Sequence, residues 1–466
     1  MHARRWTLLA VTTAIAGVLA PVAAASAAWT PAESVSASAN DIHNATLGFD
    51  AQGRALATWL PSTYVNGRFK GQGGRAATRA PQLTAFDPER TAPVFRAGPM
   101  LYGQTRAVGL DVRHGSWNRC GQQVDLRVRY GRSSGFFQTP ASVIAAYRGV
   151  GGDGDPAVGT DKSGHVAAAW AQSAASCSRS IIRVARRRAP SSSFTAPDTL
   201  RGRGMNELPS IAVGGRGDIV VAWARRVGEG RTVIEARYRR AGGSWDALER
   251  LGEGTARGEV TTAVMQNGRA YVAWQRKTIN ETTGTSASTW VAVRPSGAGS
   301  FRDATRLEAI RTGVSYVGLR PILAVNGIHA LIAWTGRAGT TWRVRVATAG
   351  SNGSFSSPET VSDAAVNAQL GGLSLLPDGT AAVSWAQLDF ELVPGRALAA
   401  LRPAGDSRFL PGELVSSSTR SVPLVALSPL TRQPTVTWTQ HMGAPTTSAA
   451  RLDVRLRAST REPPAP

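Results

Sequence analysis

A short apolar run ending in tryptophan returns along the chain, each time behind a turn. Residues 217–225 read GDIVVAWAR, and relatives stand at 53–59 (GRALATW), 164–170 (GHVAAAW), 268–274 (GRAYVAW), 330–334 (ALIAW), 379–385 (GTAAVSW) and 435–438 (TVTW). These runs lack polar/apolar alternation, which describes a strand covered on both faces. Before each lies another apolar stretch, such as 209–213 (PSIAV). The turns joining the two, of the GGRGD, QNGR and PDGT kind, are hairpin chemistry, with Gly or Asn supplying positive φ. After each run come stretches such as VDLRVRY (124–130), IIRVARR (181–187), VIEARYRR (233–240) and WRVRVAT (342–348). Arginine falls at alternate positions there, predicting a strand nearer solvent. A fourth strand follows a Gly/Ser-rich turn and an aromatic marker: Phe86, Phe137, Phe194, Trp245, Phe301, Phe355 and Phe409.

Aligning Trp59, Trp170, Trp223, Trp274, Trp334, Trp385 and Trp438 gives steps of 51 to 60 residues, apart from one double step of 111. The missing member falls at 109–114 (GLDVRH), with Arg113 read in the tryptophan's place. The aromatic marker is missing after Trp438 and stands instead at 29–35 (WTPAESV), which lines up with FSSPETV at 355–361. Eight units of four antiparallel strands, inner strands covered and outer ones half wet, describe an all-β, eight-bladed β-propeller. The displaced copy predicts that an N-terminal strand completes the last blade and closes the ring, leaving no open seam.

Residues 1–27 read as a signal peptide: Arg4 and Arg5, an apolar stretch over 7–20, then Ala25-Ser26-Ala27 as cleavage site. A single propeller domain over 28–459 and a disordered, Pro-rich tail over 460–466 complete the division. No later run approaches the roughly 18 apolar residues of a membrane helix. The expectation is a secreted, extracellular, monomeric bacterial protein without a transmembrane anchor once the signal is removed. All but three of the 53 basic side chains are arginine, and the formal net charge is +22. High-GC codon usage accounts for part of that bias, but the positive field is real, favours anionic partners and weakens with salt. Cys120 and Cys177 are one repeat apart, at equivalent places in neighbouring units. Export favours a disulfide between them, whereas sheets stacked about 10 Å apart oppose one; both states stay open.

The turns AGGSW (241–245), GSNGSF (350–355) and AGDSRF (404–409) open the last strand of their units on an aromatic residue. In this the repeat resembles the secreted sialidase-like propellers, whose Asp-box runs roughly S-x-D-x-G-x-x-W. The regular aspartate is absent here, so the resemblance is one of architecture over nearly the whole chain after residue 27. Sialidases of that family are usually six-bladed, with an Arg-Ile-Pro motif near the start; here Arg320-Pro321-Ile322 stands in a different unit. The tryptophan-docking signature of quinone-dependent eight-bladed dehydrogenases is also missing. No cofactor or metal is expected: the six histidines form no cluster, and Asp153-Gly154-Asp155 with Asp161 is only a faint Ca²⁺-loop pattern.

Propellers bind ligands mostly at the axial mouth where inner strands begin. Counting back from each tryptophan places His43, Asn44, Asp155, Glu207, Glu259, Arg320, Gln369 and Ser421 there, with Tyr316 beside Arg320. Asp155, Glu207, Glu259, Tyr316 and Arg320 are the candidate catalytic group, suited to acid–base glycoside chemistry if they converge. His43, Asn44, Gln369, Trp117, Trp290 and Trp342 are the candidate ligand-binding set. Their indoles either stack on sugar rings or cap the blade core. Arg127, Arg129, Arg183, Arg343, Arg345, Arg455 and Arg457 form an outer belt, which either adheres to a polyanion or is a solvated face. No nucleic-acid motif accompanies them. Three readings follow: a binding or scaffold module for an anionic glycan or cell-envelope polymer, a sialidase-like glycoside hydrolase or lyase, and a structural envelope protein without a small ligand.

Overall fold

The computed structural model describes residues 28–462 apart from short stretches, among them 119–120, 149–155, 175–178, 255–259, 313–319 and 443–452. The expected signal peptide, Cys120 and Cys177 lie outside the described residues.

Eight antiparallel sheets follow one another along the chain. Blade 1 holds Asp41–Phe49, Ala55–Val65, Gly74–Arg79 and Arg90–Ala92, with Arg68–Gly71 paired as an extra strand to its second. Blade 2 is Ala97–Tyr102, Arg106–Asn118, Gly121–Arg132 and Ser142–Arg148; blade 3 is Ala157–Thr160, Val166–Ser173, Ser180–Arg187 and Asp198–Leu200. Blade 4 is Met205–Val213, Ile219–Gly228, Arg231–Arg239 and Glu249–Gly254; blade 5 is Val260–Val264, Ala270–Asn280, Gly284–Arg294 and Thr305–Thr312. Blade 6 is Ile322–Asn326, His329–Ala338, Thr341–Thr348 and Glu359–Thr360; blade 7 is Ala368–Leu375, Ala381–Leu388, Pro394–Arg402 and Glu413–Ser416. Blade 8 takes Leu424–Leu427, Pro434–His441 and Val454–Thr460 from the end of the chain and Glu33–Ser34 from its start. The first strand of each blade touches those of both neighbours, and blade 8 meets blade 1, so the inner ring is closed. The protein is an eight-bladed β-propeller.

The apolar second strands explain themselves once the blades are stacked. In blade 4, Ile219, Val221 and Trp223 face blade 3, while Val220, Ala222 and Ala224 face blade 5. Successive side chains point to opposite faces of a strand, and both faces meet another sheet. Each junction between blades carries one such apolar cluster. The seven second-strand tryptophans are all 3% exposed or less. In blade 2 their place falls to Asp111, not Arg113: Asp111 stands opposite Arg127 and four residues past Ala107, as Trp223 stands opposite Glu235 and four residues past Ile219, whereas Arg113 is exposed. Asp111 is half-buried and paired with Arg129, while Leu110 points the other way into the layer with blade 3; on the tryptophan side Phe95 packs against Gly109 in the layer between blades 1 and 2.

The N-terminal strand closes the ring as the displaced aromatic marker implies. Glu33 pairs with Ala458 and Ser34 with Arg457. Flanking bonds extend the seam: Thr30 N–H to Thr460 O (2.9 Å), Val35 N–H to Leu456 O (2.8 Å) and a reciprocal pair between Ala39 and Val454. Val35 and Ala39 enter the apolar layer between blades 8 and 1. The last strand runs one residue past 459 to Thr460. Arg461 pairs with Glu413 at 2.9 Å and the Glu462 amide bonds to Ala28, so these residues, assigned to the tail by sequence, are held.

The recurring Glu in WTPAESV, WDALERL and FSSPETV also acquires a role. Glu33, Glu249 and Glu359 accept the backbone N–H of the next blade's marker, Phe86 (3.0 Å), Phe301 (2.8 Å) and Phe409 (3.1 Å). Burial raises the pKa of Glu33 and Glu249, and the amide bond opposes that shift.

Candidate functional site

The mouth where inner strands begin has bulged, strained backbone. Asn44 in blade 1 and Leu208 in blade 4 both take positive φ, 50° and 48°, each inside a register shift of the first two strands. Both lie fifteen residues before the blade's tryptophan, so the bulge is a repeated device at this rim. Left-handed backbone is costly for a non-glycine residue, Leu more than Asn.

The sequence candidates separate on inspection. Asp155, Glu259 and Tyr316 lie outside the described residues, as does the side chain of Trp117. Glu207 accepts a 3.0 Å ion pair from Arg226 on the second strand of its own blade. His43 is exposed, with Nε2 3.3 Å from Asp41, and Gln369 is half-buried, paired in the ladder with Ala386. Arg320 reaches furthest. Its Nη2 donates to the Ser210 hydroxyl at 3.1 Å, and Ser210 meets the Thr262 hydroxyl at 3.0 Å. Groups from blades 6, 4 and 5 are thus joined in one chain of hydrogen bonds at the inner strands.

The tryptophans divide as well. Trp342 is 3% exposed, beneath the Arg337 guanidinium, and enclosed in this way leaves no face for a sugar ring. Trp290 is half-buried; it packs against the layer between blades 4 and 5 and donates its indole N–H to Ser288 at 2.8 Å. The outer belt is largely consumed within its own blades. Arg129 pairs with Asp111 (2.9 Å), Arg345 donates to Thr360 (2.8 Å), Arg455 lies 3.3 Å from Asp453, and Arg183 bonds Thr199. Side chains tied into ladders offer a polyanion less than their number implies.

A further feature, which no motif marks, lies at the opposite end, beside the hairpins that join first to second strands. A cavity of about 210 Å³ opens between blades 3 and 4, lined among others by Arg186, Arg188, Arg216, Arg239 and His165. The signal for it in the sequence is the unbroken run Arg186-Arg187-Arg188. His165 is fixed there: its Nδ1 lies 2.7 Å from Asp161, and its ring packs against Gly217 of the next hairpin, where φ is 84°. His329, like His165 five residues before its blade's tryptophan, packs against Gly379 in the same way at the junction of blades 6 and 7, so the histidine at this position is a packing device. Among the described residues no group of His, Cys, Asp and Glu is placed to hold a metal ion.

No family model and no curated protein matches the chain. Solved structures similar to it include the polysaccharide lyase Uly1 (10% identity, 96% of this chain and 94% of that one, TM-score 0.43). An ulvan lyase matches at 10% identity over 83% of this chain and 96% of its own, with TM-score 0.44. The NanB sialidase of Streptococcus pneumoniae matches at 8% identity over 91% and 94%, with TM-score 0.35. What those proteins act on is said of them alone.

Proposed function

We propose that the protein is an exported propeller, its residues 1–27 removed as a signal peptide, that binds an anionic or carbohydrate ligand at the mouth where the inner strands begin. The observation carrying this reading is the Arg320–Ser210–Thr262 chain, which gathers a cation and two hydroxyls from three blades. A guanidinium beside hydroxyls suits a sugar carboxylate and its neighbouring OH groups, and convergent polar groups in a concavity are the usual means of orienting a ligand. Binding is favoured over cleavage because Glu207, the one described carboxylate of the candidate catalytic group, is occupied by Arg226.

The test is a panel of neutral and uronic-acid oligosaccharides, with binding and release of reducing ends followed in parallel on the full chain. Binding of an acidic member without cleavage is expected, weakened tenfold or more by Arg320→Ala, on the scale of one charge-assisted contact. Binding indifferent to Arg320→Ala removes the mouth from the reading. Turnover that Glu207→Gln abolishes replaces it with the hydrolase or lyase alternative.

A further inference from the structure

The cavity between blades 3 and 4 concentrates positive charge that its surroundings leave uncompensated. Five arginines line it. Arg186 is engaged by Asp198, with Nε at 3.1 Å and Nη2 at 2.9 Å from the same carboxylate oxygen. Arg187 donates to the Gly164 carbonyl at 3.1 Å and lies over the Tyr130 ring at 4.3 Å. The guanidinium groups of Arg188, Arg216 and Arg239 make no hydrogen bond or ion pair with a described residue. Arg188 and Arg216 are exposed, so water serves them. Arg239 is only 8% exposed.

The rest of the Arg239 side chain is covered, but the guanidinium nitrogens reach the cavity, where a cation set among other cations attracts an anion. Burial lowers the pKa of Arg239, Arg186 and Arg188 lower it further, and Asp198 alone opposes them. The neighbouring carboxylates are spoken for. Asp198 also accepts the Trp245 indole N–H at 2.9 Å, and Asp161 takes His165 Nδ1 and the amides of Ser163 and His165. The charge that faces this cavity is positive.

We propose that the cavity is an anion-binding site whose ligand is a phosphate or sulfate group, with Arg239 at its base and Arg188 and Arg216 at its rim. Three guanidinium groups on three separate chain segments point to a tetrahedral oxyanion, which presents oxygens in several directions. A planar carboxylate matches the fork of one guanidinium. The volume exceeds that of a five-atom oxyanion, leaving room for a sugar or other group to which it is esterified. This site is separate from the mouth, and neither reading depends on the other.

Titration calorimetry and thermal unfolding of the full chain at low salt test it, using inorganic phosphate, inorganic sulfate, glucose 6-phosphate and acetate. At least one tetrahedral probe is expected to bind and to raise the unfolding temperature with concentration, with acetate tenfold weaker or worse. Tighter binding of glucose 6-phosphate than of inorganic phosphate identifies an esterified ligand; the reverse order identifies the free anion. Arg239→Gln, which keeps much of the side-chain volume, weakens binding at least tenfold. The double variant Arg188→Gln/Arg216→Gln alters only exposed side chains and also weakens it, whereas Arg302→Gln, exposed and outside the cavity, does not. No response to any tetrahedral probe overturns the proposal. So does a response that both cavity variants retain, or acetate binding as tight as phosphate.

Discussion

At the junction of blades 4 and 5, Arg294 closes the third strand opposite Ala270; at the junction of blades 3 and 4, Arg239 holds the same place opposite Ile219. Their neighbours on the preceding blade differ. Arg294 is 1% exposed, stacks over Tyr238 at 4.0 Å and is paired with Asp246. For Arg239 the preceding blade offers Arg186 where Tyr238 would be and Thr195 where Asp246 would be. Other junctions side with Arg294. Arg79 donates to Thr435 (2.7 Å) and Arg402 to Thr348 (2.8 Å), each beneath a marker phenylalanine. The terminal arginine is thus a repeated staple between blades, and at the junction of blades 3 and 4 it has no receiving end. Two residues that differ between neighbouring blades, Arg186 for Tyr238 and Thr195 for Asp246, are enough to leave a cation facing a cavity.

The two junctions carry equivalent apolar layers and differ only at their rims. Trp223→Ala and Trp274→Ala should therefore cost alike, about 3–5 kcal/mol each, as truncation of a buried tryptophan leaves a cavity. Denaturant midpoints check this, and a gap of more than ~2 kcal/mol between them would place the difference in the layer and not at the rim. The rims should part company next. Asp246→Asn strands a buried cation and should cost about 3 kcal/mol. Arg239→Gln removes one that has no partner and should leave stability unchanged or higher. If Arg239→Gln destabilises as much as Asp246→Asn, Arg239 is a staple after all.

Much of this was legible in the chain, for reasons the junctions make plain. The tryptophan runs are apolar because both strand faces meet a sheet, and WTPAESV betrays the closure because it must satisfy the contacts that FSSPETV satisfies in blade 7's neighbour. The residue in the missing tryptophan's place, Asp111, lies two positions before the Arg113 that spacing alone picks out, because without the ladder nothing fixes the register of GLDVRH. The terminal arginines also recur in the sequence, seven residues before Phe86, Phe194, Phe301 and Phe409 and six before Trp245. What no local pattern could reveal is which of them lacks a partner, since that depends on side chains of the preceding unit. For the same reason Glu207 read as a candidate acid, while its neutralisation by Arg226, nineteen residues on, depends on the pairing of two strands.

The smallest expected effect is also the most discriminating. Thr195 N–H bonds to Arg186 O at 2.7 Å, as Asp246 N–H bonds to Tyr238 O at 2.8 Å, so the two residues leave the backbone at equivalent points. Thr195→Asp should supply the carboxylate that Arg239 lacks and recreate the receiving end found at the next junction. A gain of about 1 kcal/mol is expected near neutral pH, the scale of a charge-assisted hydrogen bond at a partly exposed site. The sign with pH follows from linkage: an Asp paired with a cation has its pKa depressed, so the gain is full above the unfolded value near 4 and fades as pH falls through the folded one. The same variant should lose its response to phosphate and sulfate, because its own carboxylate now competes for Arg239. Stability that rises at neutral pH while phosphate binding persists would show that the anion is held by Arg188 and Arg216 alone, and Arg239 would then have no part in the site.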